Sequence, residues 1–198
     1  MTQSERDLID RSRDGDAEAF TKLVARYEDR IFRLAKRVCV GMPADADDVY
    51  QETFLTAFEK LKSFRRDSDL GTWLYRIASN LCFMRYRKKK REPFVPLLDR
   101  PHDHEDGEGP ALSVPDRTPT PEETARKKEL QAAVGEALAR LPADYRLIVV
   151  LRDVEGMSNE EAAKVLGIGV AAVKSRLHRG RMFLRDEFER ASSPKAGR

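Results

Sequence analysis

The sequence predicts an all-α protein made of two small helical domains, a helical bundle and a helix-turn-helix bundle, joined by a flexible acidic linker. Three observations carry this expectation. Apolar residues recur at helical spacing on both sides of residues 92–120. Seven of the ten prolines fall between Pro93 and Pro121, where no period is sustained. The stretch from Ser158 to Arg185 reads as a helix, a tight turn and a second, strongly basic helix.

The bulk properties fit that division. A chain of 198 residues, 40% hydrophobic and 36% charged, suits one or two small soluble domains rather than a single large core. Its net charge of +3 conceals a segregation. Between Glu92 and Ala125 nine acids face only Arg100 and Arg117, a net of −7, which leaves +10 on the remainder. That is the balance of a nucleic-acid-binding protein carrying an acidic strap. No apolar run is long enough to span a membrane and no signal-peptide core is present, so a cytoplasmic protein without membrane insertion of its own is expected. Cys39 and Cys82 sit in apolar helical stripes and are expected to be buried free thiols.

Taken in order, Leu8 and Ile9 mark a short amphipathic start, and Asp14-Gly15-Asp16 makes a turn. Phe20, Leu23, Val24, Tyr27, Ile31, Leu34, Ala35 and Val38 then give a long core helix, broken at Gly41, Met42 and Pro43. A second long helix is expected from Asp45 to Lys62, with Val49, Thr53, Ala57, Phe58 and Leu61 inward. Asp48, Gln51, Glu52, Leu55 and Glu59 form its other side, which fits either a solvated face or a docking strip for a basic partner.

The polar loop from Phe64 to Gly71 ends at Thr72, read as the cap of a helix from Trp73 to Lys90. Leu74, Ile77, Ala78 and Leu81 make its buried face. Trp73, Arg76, Asn80, Phe83 and Arg87 make another, which suits a single strand of nucleic acid because bases stack on rings while cations hold phosphates; packing of the rings on neighbouring helices is the alternative. Arg85 to Arg91 contains six cations in seven residues, a candidate phosphate clamp.

Residues 92–124 read as linker. His102 and His104 lie in it without enough further ligands for a metal site, so no metal and no cofactor is expected. Thr120-Pro121-Glu122-Glu123 opens the next helix, continued by Leu130, Val134, Ala137, Leu138 and Leu141. Pro142 opens another, through Tyr145, Ile148, Val149 and Arg152 to a stop at Gly156. Ser158 with Glu161 is a capping box, Ala162, Val165 and Leu166 form the buried stripe, and Gly167 ends the helix. The last helix buries Val173, Leu177 and Leu184. It offers Lys174, Ser175, Arg176, His178, Arg179, Arg181 and Arg185 with no acid between Val170 and Arg185, which favours DNA over a solvated surface helix.

Several of these stretches together resemble the extracytoplasmic-function (group IV) sigma factors of the sigma-70 family. They are Asp47 to Phe54 (DDVYQETF), Thr72 to Asn80 (TWLYRIASN), Leu141-Pro142, Leu151 to Gly156 (LRDVEG) and Val173 to Leu177 (VKSRL), in the family's order and spacing. The resemblance covers nearly the whole chain outside linker and tail. It implies a sigma-two domain over residues 1–91, a linker over 92–124, a sigma-four domain over 125–190 and a tail over 191–198. It further implies a specificity subunit that binds core RNA polymerase, reads the minus-ten and minus-thirty-five promoter elements, melts the former, and answers to an anti-sigma factor in a stress or envelope response.

Carried over by position, Asp48, Gln51, Glu52 and Leu55 would face the clamp helices of the largest catalytic subunit. Phe64, Ser68, Trp73, Arg76, Asn80, Phe83, Arg87 and Lys88 would meet minus-ten DNA, and Lys174, Ser175, Arg176 and Arg179 minus-thirty-five DNA. The resemblance implies a linker that threads the polymerase's RNA path; the alternative is that its acids keep it solvated and off the chain's own basic helices. The chain departs from the family at Gly169, Ala171 and Ala172, where Pro, Gly and Thr are common, and at Met84, where an acid often stands. Ala172 lacks a hydroxyl that could meet a phosphate.

Two other classes fit less well. A helix-turn-helix regulator acting apart from the polymerase would need a receiver or ligand domain, and residues 1–91 show neither strands nor an acidic phosphorylation pocket. An enzyme would need a nucleophile with its base, a metal set or a phosphate-binding glycine loop, and the sequence contains none of these, so no catalysis is expected.

Overall fold

In a computed structural model, residues 2–40, 42–90 and 121–192 are described; linker residues 92–120 with the His102/His104 tract, Arg91 and the tail beyond Ser192 lie outside them. Helix α1 (Gln3–Arg13) starts where the Thr2 hydroxyl accepts the Glu5 N–H. Gly15, at φ +97°, makes the turn, and the Asp16 carboxylate then accepts the Ala19 N–H to cap α2 (Ala17–Val38). Pro43 occupies the first turn of α3 (Pro43–Lys60), and Leu61–Ser63 tighten into a 3₁₀ turn.

Helix α4 (Leu70–Lys90) begins earlier than the sequence suggested, because its cap is Asp69 and not Thr72. The Asp69 carboxylate accepts both the Thr72 N–H at 2.8 Å and the Thr72 hydroxyl at 2.7 Å. Burial pushes this carboxyl's pKa up, but the hydrogen bonds it accepts, those from Thr72 foremost, together hold it below the ordinary value. Thr72 is thus an interior residue of the first turn.

A second correction concerns Phe58, which is 51% exposed at the flank of α3 and meets Phe20 edge-on at 5.0 Å. Phe54 takes the inward position with Val49, Ala57 and Leu61. Thr53 can be fully buried on this face because its hydroxyl donates to the Val49 carbonyl, one turn back.

The second unit comprises α5 (Pro121–Arg140), α6 (Ala143–Val149), α7 (Asn159–Leu166) and α8 (Val170–Ser192). Among the described side chains of α5, the packed ones lie at its end. Ala137, Leu138 and Leu141 are buried, whereas Leu130 is 62% exposed and Val134 also faces outward. Helix α6 does not stop at Val149 but runs into one wide turn of π-helix, Val150–Val154, before Gly156 at φ +69°. The α7 capping box is formed as expected, with Ser158 Oγ accepting the Glu161 N–H and the Glu161 carboxylate accepting the Ser158 N–H. Gly167, at φ +66°, closes the helix. Gly180 of α8 is buried where α8 crosses α6; a Cβ there would stand 2.8 Å from Val149 Cγ2, so only glycine allows this approach.

The two units touch, which no local pattern in the chain announces. They share one continuous apolar cluster, and α4 lies along α7 while α2 meets the α5–α6 turn and the π turn. Polar ties pin the seam. Tyr75 donates to Glu155 at 2.7 Å, Arg37 donates to the same carboxylate at 3.3 Å, and Arg76 donates to the Lys164 carbonyl at 2.6 and 3.1 Å. Lys164 lies in the last turn of α7, where carbonyls lack helical partners and carry partial negative charge, so a guanidinium is well placed there. Burial first, then the bond to Glu155, push the Tyr75 phenol above its ordinary pKa.

Two measurements check this packing. Gly180→Val is expected to cost about 1–3 kcal/mol in urea unfolding through overpacking. Adding Val149→Ala should recover part of that loss, giving a non-additive cycle. Glu155→Gln, which removes the charge shared by Tyr75 and Arg37, should weaken the seam by about 1.5–3 kcal/mol. The expected readout is a larger radius of gyration in solution scattering with unchanged helix content by circular dichroism; an unchanged radius would remove Glu155 from the set of groups that hold the units together.

Candidate functional site

On α3, Asp48 and Gln51 are exposed, Glu52 is half-buried, and Leu55 is the most open apolar side chain of the strip at 65%. The acids are not free. Arg85, reaching across from α4, donates to Asp48 and to Glu52 at 2.8 Å each and lies 3.5 Å from Asp45. The Glu52 bond is the main cause that raises the guanidinium's pKa, against partial desolvation. Asp45, Glu52, Leu81, Met84, Arg85 and Lys88 line an open cleft of about 560 Å³. Sequence reading grouped Arg85 with the basic end of α4; no local pattern shows that it pairs with α3.

The proposed minus-ten residues separate into two sets. Phe64 is buried, its ring 5.0 Å from that of Trp73, and Trp73 is half-buried beside Phe20, Leu23, Phe54 and Leu74. Phe83 is half-buried against Cys39, Cys82, Tyr86 and Ala143. Arg76 is spent on Lys164. Asn80, Arg87 and Lys88 are exposed, and Ser68 is half-exposed in the loop before α4. That loop is anchored by α1. Arg13 donates to the Leu61 and Phe64 carbonyls, and Asp10 holds Arg66, which adopts φ +61°, a strained conformation for arginine.

The cleft between the units, about 480 Å³, is lined by cations of α2 that do not figure among the expected site residues. Arg30 and Arg33 point from α2 beside Tyr27, Thr72 and Tyr75, and both are exposed without a hydrogen bond or ion pair among the described residues. Their spacing with Arg37, three and then four residues, was the available signal.

On α8, Val173 and Leu177 are buried and Leu184 is half-buried, which turns the other positions outward. Lys174 is exposed, and Ser175, Arg176 and Arg179 are half-exposed. Arg176 and Arg179 have no partner among the described residues, whereas Arg181 is tied to Asp153 at 2.6 Å and Arg185 to Glu189 at 2.9 Å. The unspent cations are those near the start of the second helix of a helix-turn-helix, the end that reaches base edges in the major groove. Among the described residues no group of His, Cys, Asp and Glu could hold a metal ion, and no helix is long and apolar enough to cross a membrane.

The Sigma-70 region 2 family matches residues 23–92, and the Sigma-70 region 4 family matches residues 131–184. The chain is 34% identical over 174 residues to the ECF RNA polymerase sigma factor SigW of Bacillus subtilis, covering 88% of this chain and 91% of that protein. It is 35% identical to the ECF RNA polymerase sigma-E factor of Escherichia coli, covering 88% of each. With the ECF RNA polymerase sigma factor SigE of Mycolicibacterium smegmatis it shares 36% over 178 residues, 90% of this chain but 65% of that longer protein. The solved structure of CnrH in complex with the cytosolic domain of CnrY superposes over 96% of this chain and all of that one, with a TM-score of 0.67 and 29% identity. A likeness of fold extends to the sigma factor RpoE of Bartonella quintana, solved with the anti-sigma factor NepR, at a TM-score of 0.62 and 23% identity over 87% of this chain and 98% of that one. Two sigma-70 regions in the family's order, on an all-helical chain that covers most of several curated relatives, make this protein a member of the extracytoplasmic-function RNA polymerase sigma factors.

Proposed function

We propose that residues 1–91 bind core RNA polymerase and melt the minus-ten element while residues 125–190 read the minus-thirty-five element, with residues 92–124 as the strap between them. The protein is then a specificity subunit with no catalytic chemistry of its own, and it works in the cytoplasm, where the polymerase is. The observation that carries this reading is the pairing, on one chain, of an apolar residue exposed among acids on α3 with unspent guanidinium groups on the second helix of a helix-turn-helix. The first is what a basic partner surface requires, and the second is what phosphates and guanine edges require.

In the closed arrangement Arg76 is engaged by α7, so the minus-ten face becomes available when the second unit lifts from the first. Relatives solved with the cytosolic domain of CnrY and with the anti-sigma factor NepR support an anti-sigma partner here as well.

Leu55→Glu tests the polymerase face more cleanly than reversing Asp48 or Glu52, which would also set a new cation against Arg85. It should lower affinity for core polymerase at least about tenfold with the fold intact, the 1.4 kcal/mol scale of one lost apolar anchor. Wild-type affinity in this variant would move the docking site elsewhere. For the upstream helix, Arg176→Ala should cost about 1–3 kcal/mol in promoter binding. A loss confined to particular single-base promoter variants assigns Arg176 to a base edge, and a uniform loss assigns it to a phosphate. Unchanged binding on every variant would displace the recognition face.

A further inference from the structure

Neither cysteine takes part in the interfaces above, yet the two are brought together. Cys39 closes the C-terminus of α2 and Cys82 lies in the middle of α4; their sulfurs are 3.5 Å apart, both thiols are free, and they are 2% and 3% exposed. Val38, Met42, Phe83 and Tyr86 surround them, and Ala143 of the second unit forms the roof. The next turn of α6 carries Arg146, which is 2% exposed and donates to the Val38 carbonyl at 2.8 Å. Its Nε has no partner, no carboxylate lies within ion-pair reach of it among the described residues, and the titratable groups its charge meets are the Tyr86 phenol and the two thiols.

A buried cation with no anion, beside two thiols already in contact, favours a thiolate, since a thiol is ordinarily a stronger acid than a phenol. The two sulfurs are not equivalent. The hydrogen bond between the two sulfurs holds the Cys39 thiol below its ordinary pKa, against burial, with Arg146 and Arg85 adding to the effect; the same bond and burial push Cys82 up. Cys39, at the end of α2 and not inside a helix as Cys82 is, is the sulfur placed to be reached and to attack, with Cys82 keeping its proton until the second step.

We propose that Cys39 and Cys82 form a redox dithiol that a hydroperoxide converts to an intramolecular disulfide, and that this disulfide loosens the seating of the second helical unit on the first. In the first step the Cys39 thiolate attacks one peroxide oxygen and the O–O bond breaks. The leaving alkoxide or hydroxide takes a proton, and Cys39 becomes a sulfenic acid. In the second, the Cys82 sulfur attacks the Cys39 sulfur, the S–O bond breaks, and the departing hydroxide leaves as water with the Cys82 proton. Two thiols and one hydroperoxide thus give one disulfide, one alcohol or water, and one further water. A dithiol reductant reverses the change by exchange.

Closing the sulfurs from 3.5 Å to a bond of about 2.05 Å draws the end of α2 toward α4. That end carries the Val38 carbonyl that Arg146 grips, and the thiolate that could offset its charge is consumed. Because α6 roofs the pair, a peroxide reaches Cys39 when the second unit lifts, so opening favours oxidation and oxidation favours opening.

The chemistry can be tested on the full chain without polymerase, so its failure would leave the sigma-factor reading untouched. Hydrogen peroxide followed by denaturation and thiol alkylation should give a monomer about 2 Da lighter with no alkylated cysteine, restored by dithiothreitol. Cys82→Ser should accumulate a dimedone adduct at Cys39, and Cys39→Ser should give none at Cys82. In the oxidised wild type, amides of Arg146 to Val149 should exchange with solvent several-fold faster, and the radius of gyration should rise. Thiols that remain alkylatable after peroxide overturn the proposal, as does a disulfide that leaves both exchange and scattering unchanged.

Discussion

Three backbone carbonyls in the interior converge on one guanidinium. Arg146 gives one nitrogen to Val38 at the end of α2 and another to Ala139 and Leu141 at the end of α5, all at 2.8 to 2.9 Å. The last carbonyls of a helix have no intrahelical partner and carry the negative end of its dipole, so buried they need a donor, preferably a charged one. Desolvation lowers the arginine's pKa, yet an arginine remains charged in any protein interior, so the cation is a permanent part of the packing. Through it the α5–α6 turn acquires one position on α2, and the places of α7 and α8 follow from that turn. Truncating this side chain would strand three acceptors at once, a larger cost than any ion pair on the surface could impose.

The seam that Arg146 registers divides the proposed functional surfaces by accessibility. The α3 strip and the outer face of α8 are open in this arrangement, whereas Arg76 and the ring faces of Phe64 and Trp73 are engaged. Glu155 occupies the place of an anion between Arg37 and Tyr75, beside the uncompensated Arg30 and Arg33. A phosphate backbone entering the cleft would meet the same cations, so the second unit and a nucleic-acid strand would compete for one electrostatic niche. The polar ties of the seam would be contested directly, while the apolar cluster shared by the two units would oppose their separation.

What the sequence made legible is what local chemistry determines. The Ser158 capping box, the Gly167 stop, the Asp14–Asp16 turn and the buried stripes of α2, α7 and α8 each rest on residues within one or two turns of one another, and the structure contains them all. Elements that depend on distant partners were not legible. Arg85 and Arg146 look like any other basic residue until α3 and the end of α2 are set beside them. Asp69 was overlooked as a cap because Thr72 is also a capping residue, and the carboxylate, lying earlier and accepting two bonds, prevails. Leu130 and Val134 kept the period of a buried stripe, but period alone cannot say whether a partner lies opposite. For the candidate site, residue types and order could be read from the chain, whereas which side chains are spent internally could not.

Arg85 bears on how the α3 strip would respond to ionic conditions. A carboxylate waiting in solvent carries a cloud of mobile ions that a partner must displace, and the entropy of their release makes such binding fall steeply as salt is added. Asp48 and Glu52 already hold a fixed guanidinium, so a docking partner would exchange one resident cation for another and set few ions free. Attachment through this strip then leans on Leu55 and on shape, and it would persist at ionic strengths that strip the cationic helix from DNA.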